Sequence, residues 1–232
     1  NGDSIYYLPT DRSLVVNESI TSHGDYVLPS QIVDHFIDTA SHHWVMNFCL
    51  CRESNKCTDY SQQLGCLFLG EAVHQINPKL GKLVSKEEAH LHVEHCREAG
   101  LVHMIGRNKL DAIWLGVGPG ERLMTICNCC PCCCLWKFLP DITPRISTKV
   151  HRLPGVSVMV NDNCLGCGDC TQGICFVNAI QLIDGFAKIN ANCRGCGQCI
   201  DICPNEAIEL LIEDGPYVEH AIRDLSQLVE VE

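Results

Sequence analysis

The chain repeats itself once, and the repeat is built of cysteine and glycine. Asn163-Cys164-Leu165-Gly166-Cys167-Gly168-Asp169-Cys170 returns twenty-nine residues later as Asn192-Cys193-Arg194-Gly195-Cys196-Gly197-Gln198-Cys199. Each copy is followed by one more cysteine and an Ala-Ile pair: Cys175 with Ala179-Ile180, and Cys203 with Ala207-Ile208. Two residues between successive thiolates let them curl round a common centre, with glycines permitting the tight backbone and N–H groups facing sulfur. Thiolates are soft ligands that select zinc, copper(I) or iron–sulfur clusters.

Cys203-Pro204 completes C-x2-C-x2-C-x3-C-P, the bacterial run that holds a 4Fe–4S cluster. Over about residues 156–212 the chain resembles the two-cluster bacterial ferredoxins. That resemblance implies one 4Fe–4S cluster on Cys164, Cys167, Cys170 and Cys203 and another on Cys193, Cys196, Cys199 and Cys175. The fourth cysteine of each run reaches the other cluster. The first copy departs from the pattern: one extra residue separates Cys170 from Cys175, and Phe176 replaces the usual proline. Such an insertion either lengthens the loop with the ligand kept or alters that cluster's potential; both clusters are expected. Ile180–Ile183 and Phe186–Ile189, joined by Asp184-Gly185, make the hairpin of such a fold.

Eleven cysteines remain. Cys49, Cys51, Cys57 and Cys66 read C-x-C-x5-C-x8-C, and Cys127, Cys129, Cys130, Cys132, Cys133 and Cys134 fill six of eight consecutive positions. No ordinary core needs that density. The two stretches are expected to fold together around one or two further iron–sulfur clusters, 4Fe–4S in type, with these ten thiols as candidate ligands. Neighbouring thiols point in different directions, so Cys129-Cys130 and Cys132-Cys133 are each expected to serve two clusters. Arg52 either donates hydrogen bonds to cluster sulfur, raising its potential, or is a plain surface charge. Isolated Cys96 reads as a core residue, and His42, His43 and His92 as ordinary surface or capping histidines. The Cys-Cys-Pro-Cys-Cys-Cys run is similar to the Cys-Cys-Gly modules of heterodisulfide reductase subunits, which carry noncubane clusters, with proline in place of glycine. The whole layout resembles ferredoxin-type subunits of anaerobic oxidoreductases, extended at the N terminus.

Nineteen cysteines in 232 residues would suit a disulfide scaffold in a short secreted chain. The odd count, the close spacing and the lack of a secretory signal instead lead to reduced, metal-bound cysteine in a cytoplasm. No run of 18 apolar residues occurs, so no transmembrane helix is expected. The charge is lopsided: residues 161–232 carry three basic and twelve acidic side chains. That balance makes nucleic-acid binding a poor expectation and favours docking of an acidic C-terminal surface on a larger redox enzyme or subunit.

Local patterns complete the expectation. Ile5–Leu8 and Leu14–Val16 read as strands flanking a turn at Pro9–Arg12. Pro29-Ser30 opens a helix with Ile32, Val33, Phe36 and Ile37 on one stripe. Cys66–Ile76 looks helical, and Ser85–Glu88 is a capping box for a helix that ends at Gly100. Leu101–Ile105 and Ala112–Val117 read as a hairpin, and Val218, Ile222, Leu225 and Leu228 as a terminal amphipathic helix. A helix followed by a hairpin is similar to a winged-helix arrangement, but residues 85–125 show no basic reading face.

The expected fold class is α+β. It comprises a mixed α/β N-terminal cysteine-rich iron–sulfur domain (1–139), a linker (140–155), a ferredoxin-like domain with two 4Fe–4S clusters (156–212) and a C-terminal tail helix (213–232). No dinucleotide fingerprint, phosphate loop or nucleophile–base pair is present; Gly116–Gly120 is a turn. The chain therefore reads as an electron-transfer protein or subunit without independent catalysis. The alternatives are a reductase subunit whose N-terminal cluster acts on a substrate such as a disulfide, or an iron–sulfur redox sensor that binds nucleic acid.

Overall fold

Seven strands form the main sheet of the computed structural model, which describes residues 4–11, 29–212 and 217–232. They are β1 (Ser4–Tyr7), β2 (His43–Met46), β3 (Leu67–Leu69), β4 (Gly81–Val84), β5 (Val102–Arg107), β6 (Met124–Cys129) and β7 (Val150–Arg152). Their order is β4–β2–β3–β6–β5–β1–β7, and every pairing is antiparallel except that of β1 with β7. β8 (Val156–Val160) pairs antiparallel with β11 (Ile208–Ile212), and β9 (Ile180–Ile183) with β10 (Phe186–Ile189). The α-helices among the described residues are α1 (Ser30–Thr39), α2 (Leu50–Ser54), α3 (Lys86–Glu98), α4 (Lys109–Leu115), α5 (Pro144–Ser147), α6 (Gln198–Asp201) and α7 (Tyr217–Ser226). The fold is mixed helix and strand, as the sequence led one to expect.

Alternation along β6 decides where the thiols go. Met124 and Ile126 enter the core shared with α1 and α3, whereas Cys127 and Cys129 join Tyr7, Met104 and Trp136 on the opposite face. α1 buries Ile32, Val33, Phe36 and Ile37 against that first core and packs on α3 and α7. No side chain caps α1 from its own N-cap position; Asp11 Oδ1 instead accepts from Ser30 N–H at 3.2 Å. α3 carries the expected capping box, with Glu88 N–H donating to Ser85 Oγ at 3.2 Å and Ser85 N–H to Glu88 Oε2 at 2.9 Å. Gly100 follows it in the left-handed region, φ +76. Val156, Val158, Ile208 and Leu210 of β8 and β11 lie in the same apolar core as Phe36, Val93 and Leu225. The cysteine-repeat half therefore packs directly on the sheet half. Residues 140–155 contain α5 and β7, and β7 extends the main sheet beside β1.

Two local expectations need correction. Ala112–Val117 is not the second strand of a hairpin, because α4 occupies Lys109–Leu115. Asn108 Oδ1 caps it by accepting from Leu110 N–H at 3.1 Å, and Gly116 ends it at φ +69. These two signals outweigh the β-branched and aromatic residues between them, and β5 pairs with β6 instead. Cys66–Ile76 is not helical throughout: β3 fills a buried slot between β2 and β6, Gly70 turns at φ +100, and a 3-10 turn follows at Glu71–Gln75. β1 falls where a strand is expected and pairs with β5 and β7; Leu14–Val16 lies outside the described residues.

The Asp184-Gly185 turn has positive φ at both residues, +54 and +80, as a two-residue hairpin loop requires. It sits on the first cysteine loop. A Cβ on Gly166 would stand 1.9 Å from the Gly185 carbonyl oxygen. Gly166→Ala is therefore expected to lower unfolding free energy by about 2–3 kcal/mol, measured by urea titration of the loaded protein. Gly173 has φ +78, but a Cβ there would meet nothing within 4 Å, so Gly173→Ala should lose only about 1 kcal/mol.

Candidate metal centres

All nineteen cysteines are free thiols. In the repeat half, Gly166, Gly168, Gly195 and Gly197 have φ between +69 and +89, which curls each loop back on itself. Cys164, Cys167, Cys170 and Cys203 line one small cavity with Leu182, Ala187 and Ile208. Ala187 N–H donates to Cys164 Sγ at 3.4 Å and Ala207 N–H to Cys203 Sγ at 3.3 Å. Cys193, Cys196, Cys199 and Cys175 lie within one another's field. Burial first, and then the neighbouring thiolates of the set, push Cys196 up to about 12 and raise Cys199 further still. Gly195 N–H donates to Cys193 Sγ at 3.4 Å and Ala179 N–H to Cys175 Sγ at 3.2 Å. Cys175/Ala179 thus repeats the geometry of Cys203/Ala207, despite the extra residue before Cys175. Phe176, where proline is usual, is buried against Tyr7 with ring centroids 5.5 Å apart.

The N-terminal thiols divide into two groups and a remainder. The first group holds six: Cys49 and Cys51 at the start of α2, Cys66 before β3, Cys127 and Cys129 on β6, and Cys134 beyond it. Electrostatic coupling links Cys66 to Cys127, Cys127 to Cys129, Cys129 to Cys134, and Cys49 to Cys51. The charge of Cys134 also reaches Cys51. Hydrogen bonds from neighbouring thiols hold Cys127 well below the usual thiol range, and a hydrogen bond with Cys51 brings Cys49 down to about 6. Cys66, Cys129 and Cys51 are raised, each by its thiol partner and then by burial. Bound metal would replace the protons that these thiols share.

The second group is Cys57, Cys130, Cys132 and Cys133, whose Sγ atoms all lie within 4.8 Å of one another. The adjacent pair Cys129-Cys130 splits between the groups, as expected of neighbours. Cys132-Cys133 does not: the turn after Pro131 brings both sulfurs to one point, which corrects the expectation that they serve two centres. Cys96 is the remainder, fully buried beside Leu101. His92 Nε2 is 2.9 Å from the Gly65 carbonyl, and His43 Nε2 is 2.7 Å from that of Ile37.

Arg52 lies between the two N-terminal groups. It is wholly buried, which removes the surface-charge reading. Nη1 donates to the Asn128 carbonyl at 2.9 Å and Nη2 to the Leu64 carbonyl. The guanidinium also lies within the field of Cys49, Cys130 and Cys129. Its Nε has no partner among the described residues. Tyr7, which the sequence did not single out, lies within the field of Cys134, Cys129 and Cys196, and its buried hydroxyl is likewise unpartnered among the described residues. Two orphaned buried donors among soft, reduced thiols fit a group with sulfide acceptors better than they fit packed protein.

Residues 187–209 match the family of 4Fe-4S binding domains, the span that contains Cys193, Cys196, Cys199 and Cys203. No curated protein and no solved structure matches the chain. The family match and the gathered thiols define an iron–sulfur protein.

Proposed function

We propose that the chain is an electron carrier, or the electron-carrying subunit of a larger oxidoreductase. In this reading Cys164, Cys167, Cys170 and Cys203 hold one 4Fe–4S cluster and Cys193, Cys196, Cys199 and Cys175 a second. The six-thiol group around Cys127 and Cys129 holds a third, so that residues 1–139 act as an iron–sulfur module joined to a two-cluster ferredoxin module at 156–212. The observation that carries the reading is continuity. Cys127, Cys129 and Cys134 share one apolar cluster with Tyr7, Phe176, Cys175, Cys193 and Cys196, and the two repeat-half sets share another. The clusters supply one-electron redox capacity. The chain's own residues bury them, exclude water and set their potentials through N–H···S bonds and charge.

Iron and acid-labile sulfide on anaerobically purified protein test this directly. About twelve of each per chain are expected for three clusters, with low-temperature EPR signals on reduction. About eight of each would leave the N-terminal group without a cluster. The acidic 161–232 half is proposed as the partner-facing surface. Its electron-exchange rate with a basic redox partner should fall several-fold between 50 and roughly 300 mM salt; a rate unmoved by salt would sink that part of the proposal.

A further inference from the structure

The Cys57, Cys130, Cys132 and Cys133 group differs from the other three in size. A tetrahedral ion with metal–sulfur bonds of about 2.3 Å places its four sulfurs about 3.8 Å apart. The four Sγ atoms lie within 4.8 Å of one another, and Cys57 Sγ is 3.6 Å from Cys132 Sγ. In a 4Fe–4S cube each thiolate binds a different iron, so the thiolates stand farther apart than they would around one ion. The repeat half provides the internal comparison: Cys164, Cys167, Cys170 and Cys203 surround a cavity, and among the described residues no other group of three or more ligand atoms is drawn so close. We propose that Cys57, Cys130, Cys132 and Cys133 bind a single tetrahedral divalent ion, zinc or iron, in a mononuclear tetrathiolate site.

The surroundings suit that ion. Four thiolates on a divalent metal carry two net negative charges, and the charge of the buried Arg52 guanidinium acts on one of them, Cys130. Cys133 N–H donates to Cys130 Sγ at 3.4 Å, the usual way a backbone supports a metal thiolate. Asn55 Nδ2 donates to the carbonyls of Cys51, at 2.8 Å, and Cys133, at 3.3 Å, holding the end of α2 over the turn. The ion would pin the surface loop after α2 to the end of β6, and so fix the spacing of Cys49 and Cys51 relative to Cys127 and Cys129. Loading releases the thiol protons and moves no electron. In the zinc form the electron path ends at the six-thiol group.

The test is metal in excess of sulfide. A 4Fe–4S cluster contributes equal iron and labile sulfide, so zinc plus iron should exceed sulfide by one per chain in the purified full-length protein. The identity of the surplus element separates the zinc form from the iron form. Cys57→Ser and Cys132→Ser should each lose that one metal with sulfide unchanged, and X-ray absorption of the surplus metal should find four sulfurs at about 2.3 Å. Metal equal to sulfide, or sulfide falling by about four in Cys57→Ser, would overturn the proposal. Should the variants fail to accumulate, the wild-type surplus decides. Sulfide itself reports the clusters, so its absence would sink the electron-transfer reading while the surplus metal still judged this one.

Discussion

Replacing Arg52 with methionine is expected to destabilise the loaded protein by about 3–5 kcal/mol, the range for removing one partner of a buried charge pair. Methionine keeps much of the volume but leaves the Asn128 and Leu64 carbonyls without their donor, and the thiolates of Cys49, Cys129 and Cys130 without their compensating charge. The charge also favours the reduced state of a neighbouring cluster. At an effective dielectric near 20, a unit charge several ångströms away contributes about 3 kcal/mol, so the potential of the N-terminal cluster should fall on the order of 100 mV. Arg52→Lys separates the two effects. The ammonium keeps the charge without the planar fork, so most of the potential should return while much of the stability stays lost. Denaturant titration and EPR-monitored redox titration read the two quantities independently. If the methionine variant kept both stability and potential, Arg52 would be filler between thiol groups.

What could be read from sequence was whatever local spacing dictates. The C-x2-C-x2-C runs shape their own loops through Gly166, Gly168, Gly195 and Gly197, so spacing groups Cys164, Cys167 and Cys170, and the fold gathers them with Cys203 around one cavity. The Ser85 capping box and the α1 stripe were legible for the same reason. Other features depend on sheet order. Cys57 meets Cys130 because β2, β3 and β6 are neighbours, which no pattern within either cysteine stretch announces. The convergence of Cys132 and Cys133 depends on the turn after Pro131 overriding the tendency of adjacent side chains to diverge. Arg52 could be suspected of tuning from its place beside Cys51, but its complete burial comes from Asn128 and Leu64, distant in the chain. The helix α4 is the opposite case. Its capping signals, Asn108 and Gly116, stand in the sequence, but the β-like composition between them masks a helix that those two residues delimit.

Cys127→Ser combined with Cys129→Ser should remove about four irons and four sulfides per chain and leave the ferredoxin-type EPR signals in place. The reason lies in the strand. Cys127 and Cys129 project from the same face of β6, and Cys127 interacts with both Cys66 and Cys129. Without the pair, the group loses both thiols that β6 contributes, and the cluster with them. Because metal binding contributes to folding free energy, the melting temperature should also fall, on the order of 10 °C for a loss of several kcal/mol in a chain of this size. Cys96→Ala is the matched control: it removes a buried thiol that contacts Leu101 in the core and should cost stability without changing iron. Loss of the ferredoxin signals in the double variant would mean that the repeat half cannot hold its clusters unless the sheet half is loaded. Tyr7 and Phe176, packed between the two halves, would then be the first residues to question. Unchanged iron would remove the six-thiol group from the set of cluster sites.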